Sequence, residues 1–160
     1  MQRAKSLGLI NILEQMSAPI QVRAGLLADE YIKWQEWEPK GHISFNMDIW
    51  KPRESLEWEL ANIIVAPSDY VKSSLISLGV PKDKVVTFPY GVYIGGKSNI
   101  RCFDGSRPLR ILCVGTVSVR KGIPYLLNAL HHIGPNYVHA RFVGGIDFSL
   151  KQLETYNDVA

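Results

Sequence analysis

Twice along this chain a short unbroken apolar run passes into a helix with clear start and stop signals, and then into a second apolar run. The first instance is "IIVAPSDYVKSSLISLGVPKDKVVTF" (63–88), the second "LRILCVGTVSVRKGIPYLLNALHHIGPNYVHARFV" (109–143). Apolar runs this short, bounded by turn residues, fit strands buried on both faces. Two strands joined through a helix run parallel, with a right-handed crossover. The fold class expected is therefore α/β, with two small parallel sheets, each built around a crossover helix.

The punctuation supports this. In the first unit, Pro67 ends the strand, Ser68 is a helix N-cap, and Val71, Leu75 and Leu78 follow at helical spacing before Gly79 and Pro81 stop the helix. "VVTF" (85–88) is the returning strand. In the second unit, Ile123, Leu126, Leu127, Leu130 and Ile133 form one stripe, stopped by Gly134-Pro135, and "YVHARFV" (137–143) runs into Gly144-Gly145. Between the units, residues 89–108 hold four glycines and two prolines with few large aliphatics, which reads as a connection and a domain boundary.

Upstream the signals are weaker. Residues 22–36 place Leu26, Leu27, Glu30, Tyr31 and Trp34 on one helical face. "GHISFNM" (41–47) is a loop or short strand, and "PRESLEWELAN" reads as a short helix opening at Pro52. The first twenty residues carry little pattern.

Composition removes whole classes of function. At 46% hydrophobic and 21% charged residues, the 160-residue chain is globular. A formal charge of +3, spread along the sequence with no basic block, argues against nucleic acid as a partner. No apolar run approaches the length of a membrane span. The opening "MQRAKSLGLINILEQMSAP" is interrupted by Asn11, Glu14 and Gln15, unlike a secretory leader. Cys102 and Cys113 are not spaced as a metal-ligand pair, and Cys113 within a strand reads as a reduced thiol. The expected compartment is the cytoplasm.

The candidate site lies between the strand and helix of the second unit, in "GTVSVRKG" (115–122). In open parallel sheets, ligands bind beyond the carboxyl ends of the strands. Gly115 ends a strand there, and Gly122 starts a helix. Arg120 and Lys121 stand at the positive end of that helix, where cations cost about a few tenths of a kcal/mol. A bound diphosphate reverses the sign, each charge-assisted hydrogen bond being worth about 1.5–3 kcal/mol. The pair makes sense as an anion clamp, with a solvated surface turn as the alternative that spacing leaves open. The segment is neither a Walker loop nor the three-glycine dinucleotide fingerprint.

Taken together, "ANIIVAPSDYVKSSLISLGVPKDKVVTFPYGV" and "RILCVGTVSVRKGIPYLLNAL" resemble the retaining nucleotide-sugar glycosyltransferases of family 4, the "glycosyl transferases group 1" proteins. The likeness covers roughly residues 50–145 and reaches more loosely back to residue 11 through "LEQMSAP" and "LLADEYIKW". It implies parts of two Rossmann-like domains of a GT-B enzyme. Residues 1–90 would be the C-terminal part of the N-terminal acceptor domain, 91–108 the linker, and 109–160 the start of the C-terminal donor domain. The architecture then looks cut short, as in an internal fragment.

The activity implied is transfer of a sugar from a UDP-, GDP- or ADP-linked donor to an acceptor hydroxyl of a carbohydrate or lipid-linked acceptor. No cofactor and no metal are implied. A lipid acceptor would bring peripheral contact with the inner face of a membrane. The donor diphosphate would meet Gly115, Arg120 and Lys121, with Thr116, Gly122, Gly144 and Gly145 bordering the nucleotide. Lys121 matches the lysine of the family's basic pair, whereas the arginine usually stands where this chain has Thr116, so Arg120 is the candidate substitute. Tyr93 replaces the family's aspartate after "YGV". The glycine-rich acceptor loop has no counterpart, and the paired glutamates would fall beyond Ala160, so no catalytic residue is assigned. A non-catalytic nucleotide or sugar-phosphate binding module, or a half-enzyme completed by a partner, are the alternatives.

Other clusters have plainer explanations. Glu54, Glu57 and Glu59 do not share one helical face and read as a solvated surface. His131 and His132 diverge by about 100° on a helix and do not converge with His139 on a metal. Trp34, Trp37, Trp50 and Trp58 read mostly as packing residues, and His42 as a weak candidate on the acceptor side.

Overall fold

The structure, a computed structural model, describes residues 1–38, 46–93, 95 and 104–157. It is a mixed α/β chain with parallel strands in two small sheets. Two compact units divide it, Met1–Leu26 with Ser44–Gly95, and Leu27–Ile43 with Gly96–Ala160. The sequence placed everything up to residue 90 in one domain. The described residues from Leu27 to Glu38 group instead with the second unit.

The first unit opens with the short helix α1 (Gln2–Ser6) and strand β1 (Ile12–Glu14), both missed in the sequence. Helix α2 (Ile20–Lys33) begins here, α3 spans Met47–Leu60, and strand β2 (Ile63–Ala66), helix α4 (Asp69–Ser77) and strand β3 (Val85–Thr87) complete the unit. The sheet order is β1-β2-β3, all parallel, with Ile12 opposite Ile63 and Ile64 opposite Val85. Polar side chains seat β1. The Asn11 backbone N–H donates to Asn62 Oδ1 at 2.9 Å, and its side-chain Nδ2 donates to the Leu60 carbonyl at 3.2 Å. Gln15 Oε1 accepts from Trp58 Nε1 at 2.9 Å.

Helix α3 starts five residues before Pro52 and runs through it. An interior proline costs roughly 3 kcal/mol, and tertiary contacts offset it. Trp58 and Ala61 are buried in the unit's core, and Lys84 Nζ caps the helix end on the Trp58 carbonyl at 2.7 Å. Glu54 is no free surface carboxylate, because its Oε2 accepts from the Ile20 amide at 2.8 Å and so caps α2. Glu57 pairs with Arg53 at 2.9 Å, and Glu59 is exposed.

The second unit holds β4 (Leu109–Val114), α5 (Ile123–Ile133), β5 (Val138–Val143) and α6 (Leu150–Glu154), with the last part of α2 and the turn after it. Strands β4 and β5 are parallel, with Leu109 opposite Val138 and Val114 opposite Val143. Leu127, Leu130, Ile123 and Val138 form the core with Trp37 and Phe148. Trp37 and Trp58 are thus packing residues, Trp34 is half-buried, and Trp50 is 45% exposed. Of the helical face read over 22–36, Tyr31 and Trp34 pack on this core while Leu26 is 53% exposed.

Neither sheet is buried on both faces, contrary to the expectation from the apolar runs. Helices cover one face of each. The other shows Ile12 (64% exposed) and Val86 (48%) in the first sheet, and Leu112 (64%) and Val114 (76%) in the second. Cys113, on the covered face of β4, is a half-buried free thiol. Among the described residues no helix is long and apolar enough to cross a membrane. Cys102 and His42 lie outside the described residues, as does most of 41–47, although Met47 begins α3.

Candidate functional site

The carboxyl ends of β4 and β5 are held together tightly. Beyond Val114 the Gly115 amide donates to the Val143 carbonyl at 2.8 Å, and the Val117 amide to the Gly145 carbonyl at 2.8 Å. The Asp147 amide returns to the Val117 carbonyl at 3.1 Å, and Val117 pairs with Ile146 in a parallel bridge. This continuation needs glycine at 144. Its φ is +150°, and an added Cβ would lie 2.2 Å from the Gly115 carbonyl oxygen. The sequence candidates Gly115, Thr116, Gly144 and Gly145 are therefore neighbours on one sheet edge.

From that edge the chain turns inward. Val117, Ser118 and Val119 are each 3–4% exposed, and then a single 3₁₀ turn, Val119–Lys121, brings the backbone back out. Arg120 and Lys121 are exposed on it. Gly122 closes the turn in the left-handed region at φ +70°, which favours glycine, and serves as the N-cap of α5. All seven sequence-named positions thus fall on the two strand ends and the turn that follows the first.

The loop's backbone departs from a plain phosphate cradle. Besides Gly115 and Val117, the amides of Lys121 and Ile123 bond to the Ser118 carbonyl, at 3.1 and 3.4 Å, and that of Gly122 to Val119 at 2.8 Å. Pro124, in the first turn of α5, has no amide to offer. These amides are bonded within the loop and the sheet edge, and the charged groups that the loop exposes are Arg120 and Lys121.

Sequence reasoning missed the acidic side of the site. Glu38, 5% exposed, accepts a short hydrogen bond from the Val119 amide through Oε1. Tyr31 on α2 is pushed up to about 12, first by burial and then by the charge and hydrogen bond of Glu38; Asp147 adds to the rise and Arg120 opposes it. The Ser118 hydroxyl, 3% exposed, has no hydrogen-bond partner among the described residues. In the first turn of α5, Tyr125 donates to Glu30 at 2.8 Å and accepts from Lys33 Nζ at 2.9 Å.

Val117 and Ile146 also line a cavity of about 360 Å³, whose apolar wall includes Ile123, Leu127 and Phe142. Among the described residues no group of three or more His, Cys, Asp or Glu side chains could hold a metal ion. Compared with protein-family models, curated proteins and solved structures, the chain finds no match.

Proposed function

We propose that this chain is part of a retaining glycosyltransferase of the GT-B type, and that the turn carrying Arg120 and Lys121 binds the diphosphate of a nucleotide-sugar donor. One observation carries the proposal: two glycine-ended parallel strands zip together, and the turn leaving the first sets two exposed cations at the start of α5, beyond the sheet's carboxyl edge. The cations would neutralise charge that develops on the departing diphosphate. Gly115 and Gly144 keep side-chain bulk away from that edge. The cavity bordered by Val117 and Ile146, about 360 Å³, lies in the size range of small-molecule sites and offers apolar surface to the nucleoside. The acceptor is a hydroxyl of a carbohydrate or a lipid-linked sugar, the latter implying contact with a membrane's inner face from the cytoplasm.

Thermal unfolding with UDP and with GDP, on the natural chain and on Lys121→Ala, tests the reading. Millimolar UDP or GDP is expected to raise the melting temperature of the natural chain, and Lys121→Ala to lose most of that rise. No shift in the natural chain with either nucleotide would sink the diphosphate assignment.

A further inference from the structure

The loop that carries the two cations already holds an anion. Glu38 sits on the amide of Val119, the first residue of the 3₁₀ turn, from a position 81 residues earlier in the sequence. It is a buried carboxylate bonded to a backbone amide of the turn that carries the two cations. Two observations show that this arrangement is not the loop's most satisfied state. The adjoining Ser118 hydroxyl is buried and has no hydrogen-bond partner among the described residues, an unfavourable state for a polar group. Arg120, close enough for its charge to be felt at Tyr31 together with those of Glu38 and Asp147, makes no ion pair among the described residues, where Arg53 and Glu57 do pair.

From these contacts we infer that Glu38 is a tethered anion, an internal stand-in for a phosphate group, which holds the Val119 amide in the unliganded loop and is displaced when a phosphate-bearing ligand binds. The inference rests on the diphosphate reading of the loop. It adds that the free protein is self-liganded. The apparent affinity for phosphate is lowered by the fraction of molecules in which Glu38 still occupies the amide.

Calorimetric titration with inorganic pyrophosphate tests this on three chains: natural, Glu38→Gln, and the double variant Arg120→Ala/Lys121→Ala. Glutamine keeps the shape and one acceptor oxygen but removes the charge that competes with the ligand. Glu38→Gln is expected to bind on the order of tenfold more tightly than the natural chain, and the double variant to lose binding. In the natural chain, the Val119 amide proton resonance is expected to move on saturation with pyrophosphate.

Equal or weaker binding by Glu38→Gln, with binding still lost in the double variant, would overturn the inference while leaving the diphosphate reading intact. Glu38 would then be a brace. Should no chain bind at millimolar pyrophosphate although circular dichroism shows each folded, the diphosphate reading fails and the inference fails with it. If Glu38→Gln does not fold, Glu38→Asp takes its place. One methylene fewer draws the carboxylate back from Val119, so a severalfold gain in affinity is expected, and no gain overturns the inference.

Discussion

The two strand–helix–strand units solve the start of their helix in opposite ways. In β2–α4–β3 the problem is settled locally: Ser68 Oγ accepts from the Val71 amide at 3.3 Å, and Asp69 places a negative charge in the first turn. In β4–α5–β5 nothing local does so. Gly122 is the N-cap with no side chain to offer, the preceding turn carries Arg120 and Lys121, and the nearby carboxylate comes from Glu38, far away in sequence. A helix start satisfied by its own residues has little left for a ligand. One that collects cations and borrows its anion would, on the tethered-anion proposal, be organised around exchange of that anion.

The sharpest way to break the comparison is at the glycine edge, which the first unit lacks. Gly144→Ala forces a Cβ to within 2.2 Å of the Gly115 carbonyl oxygen, a backbone atom that cannot rotate away. A loss above about 3 kcal/mol is expected, since a steric clash adds to an unfavourable positive φ. Gly145→Ala is the control, because its Cβ would meet nothing within 4 Å. Chemical denaturation should separate the two variants widely. Equal stabilities would mean that the two strand ends are not held together as described.

A smaller effect compares the two serines that precede the helices. Ser68→Ala removes the cap of α4 and is expected to cost about 1 kcal/mol. Ser118→Ala removes a buried hydroxyl that has no partner, so stability should stay level or rise by up to about 1 kcal/mol. The same residue type thus gives opposite signs in equivalent places. A clear loss in Ser118→Ala would show that its hydroxyl is paired after all, which also weakens the tethered-anion inference.

What could be read in advance follows the same division. Local patterns located β2, β4 and α5 at their observed bounds, because a continuous apolar run and a single stripe are properties of neighbouring residues. Strand β1 escaped because buried Asn11 and Gln15 flank it, and their burial makes sense only once Asn62 and Trp58 are known to bond them. The start of α3 was misplaced because proline usually opens a helix, whereas here core contacts carry the helix through it. At the site, glycines and cations showed in the sequence as a compact motif. Glu38 left no such trace, since a partner 81 residues away has no period and no spacing rule. The open outer faces of both sheets likewise follow from how few elements pack on them, not from the strands' own residues.

The smallest effect tests why the second helix start tolerates its cations. Arg120 and Lys121 lie just before α5, where the helix presents partial positive charge. Replacing both with glutamine should therefore stabilise the ligand-free chain, by about 0.3–1 kcal/mol at low ionic strength. The gain should shrink in about 1 M salt, where screening acts over roughly 3 Å. In the first unit the sign is reversed, for Asp69→Asn gives up a favourable charge in the first turn of α4 and alters the contact it accepts from Thr87 Oγ1 at 3.0 Å. Denaturant melts at two salt concentrations check both. With saturating UDP the order should invert, the natural chain gaining the ligand's binding energy and the double glutamine variant gaining little. A double variant destabilised without ligand would mean that Glu38 and Asp147 already draw full benefit from the two cations. The pair would then belong to the fold, and no vacancy for a diphosphate would remain to explain its position.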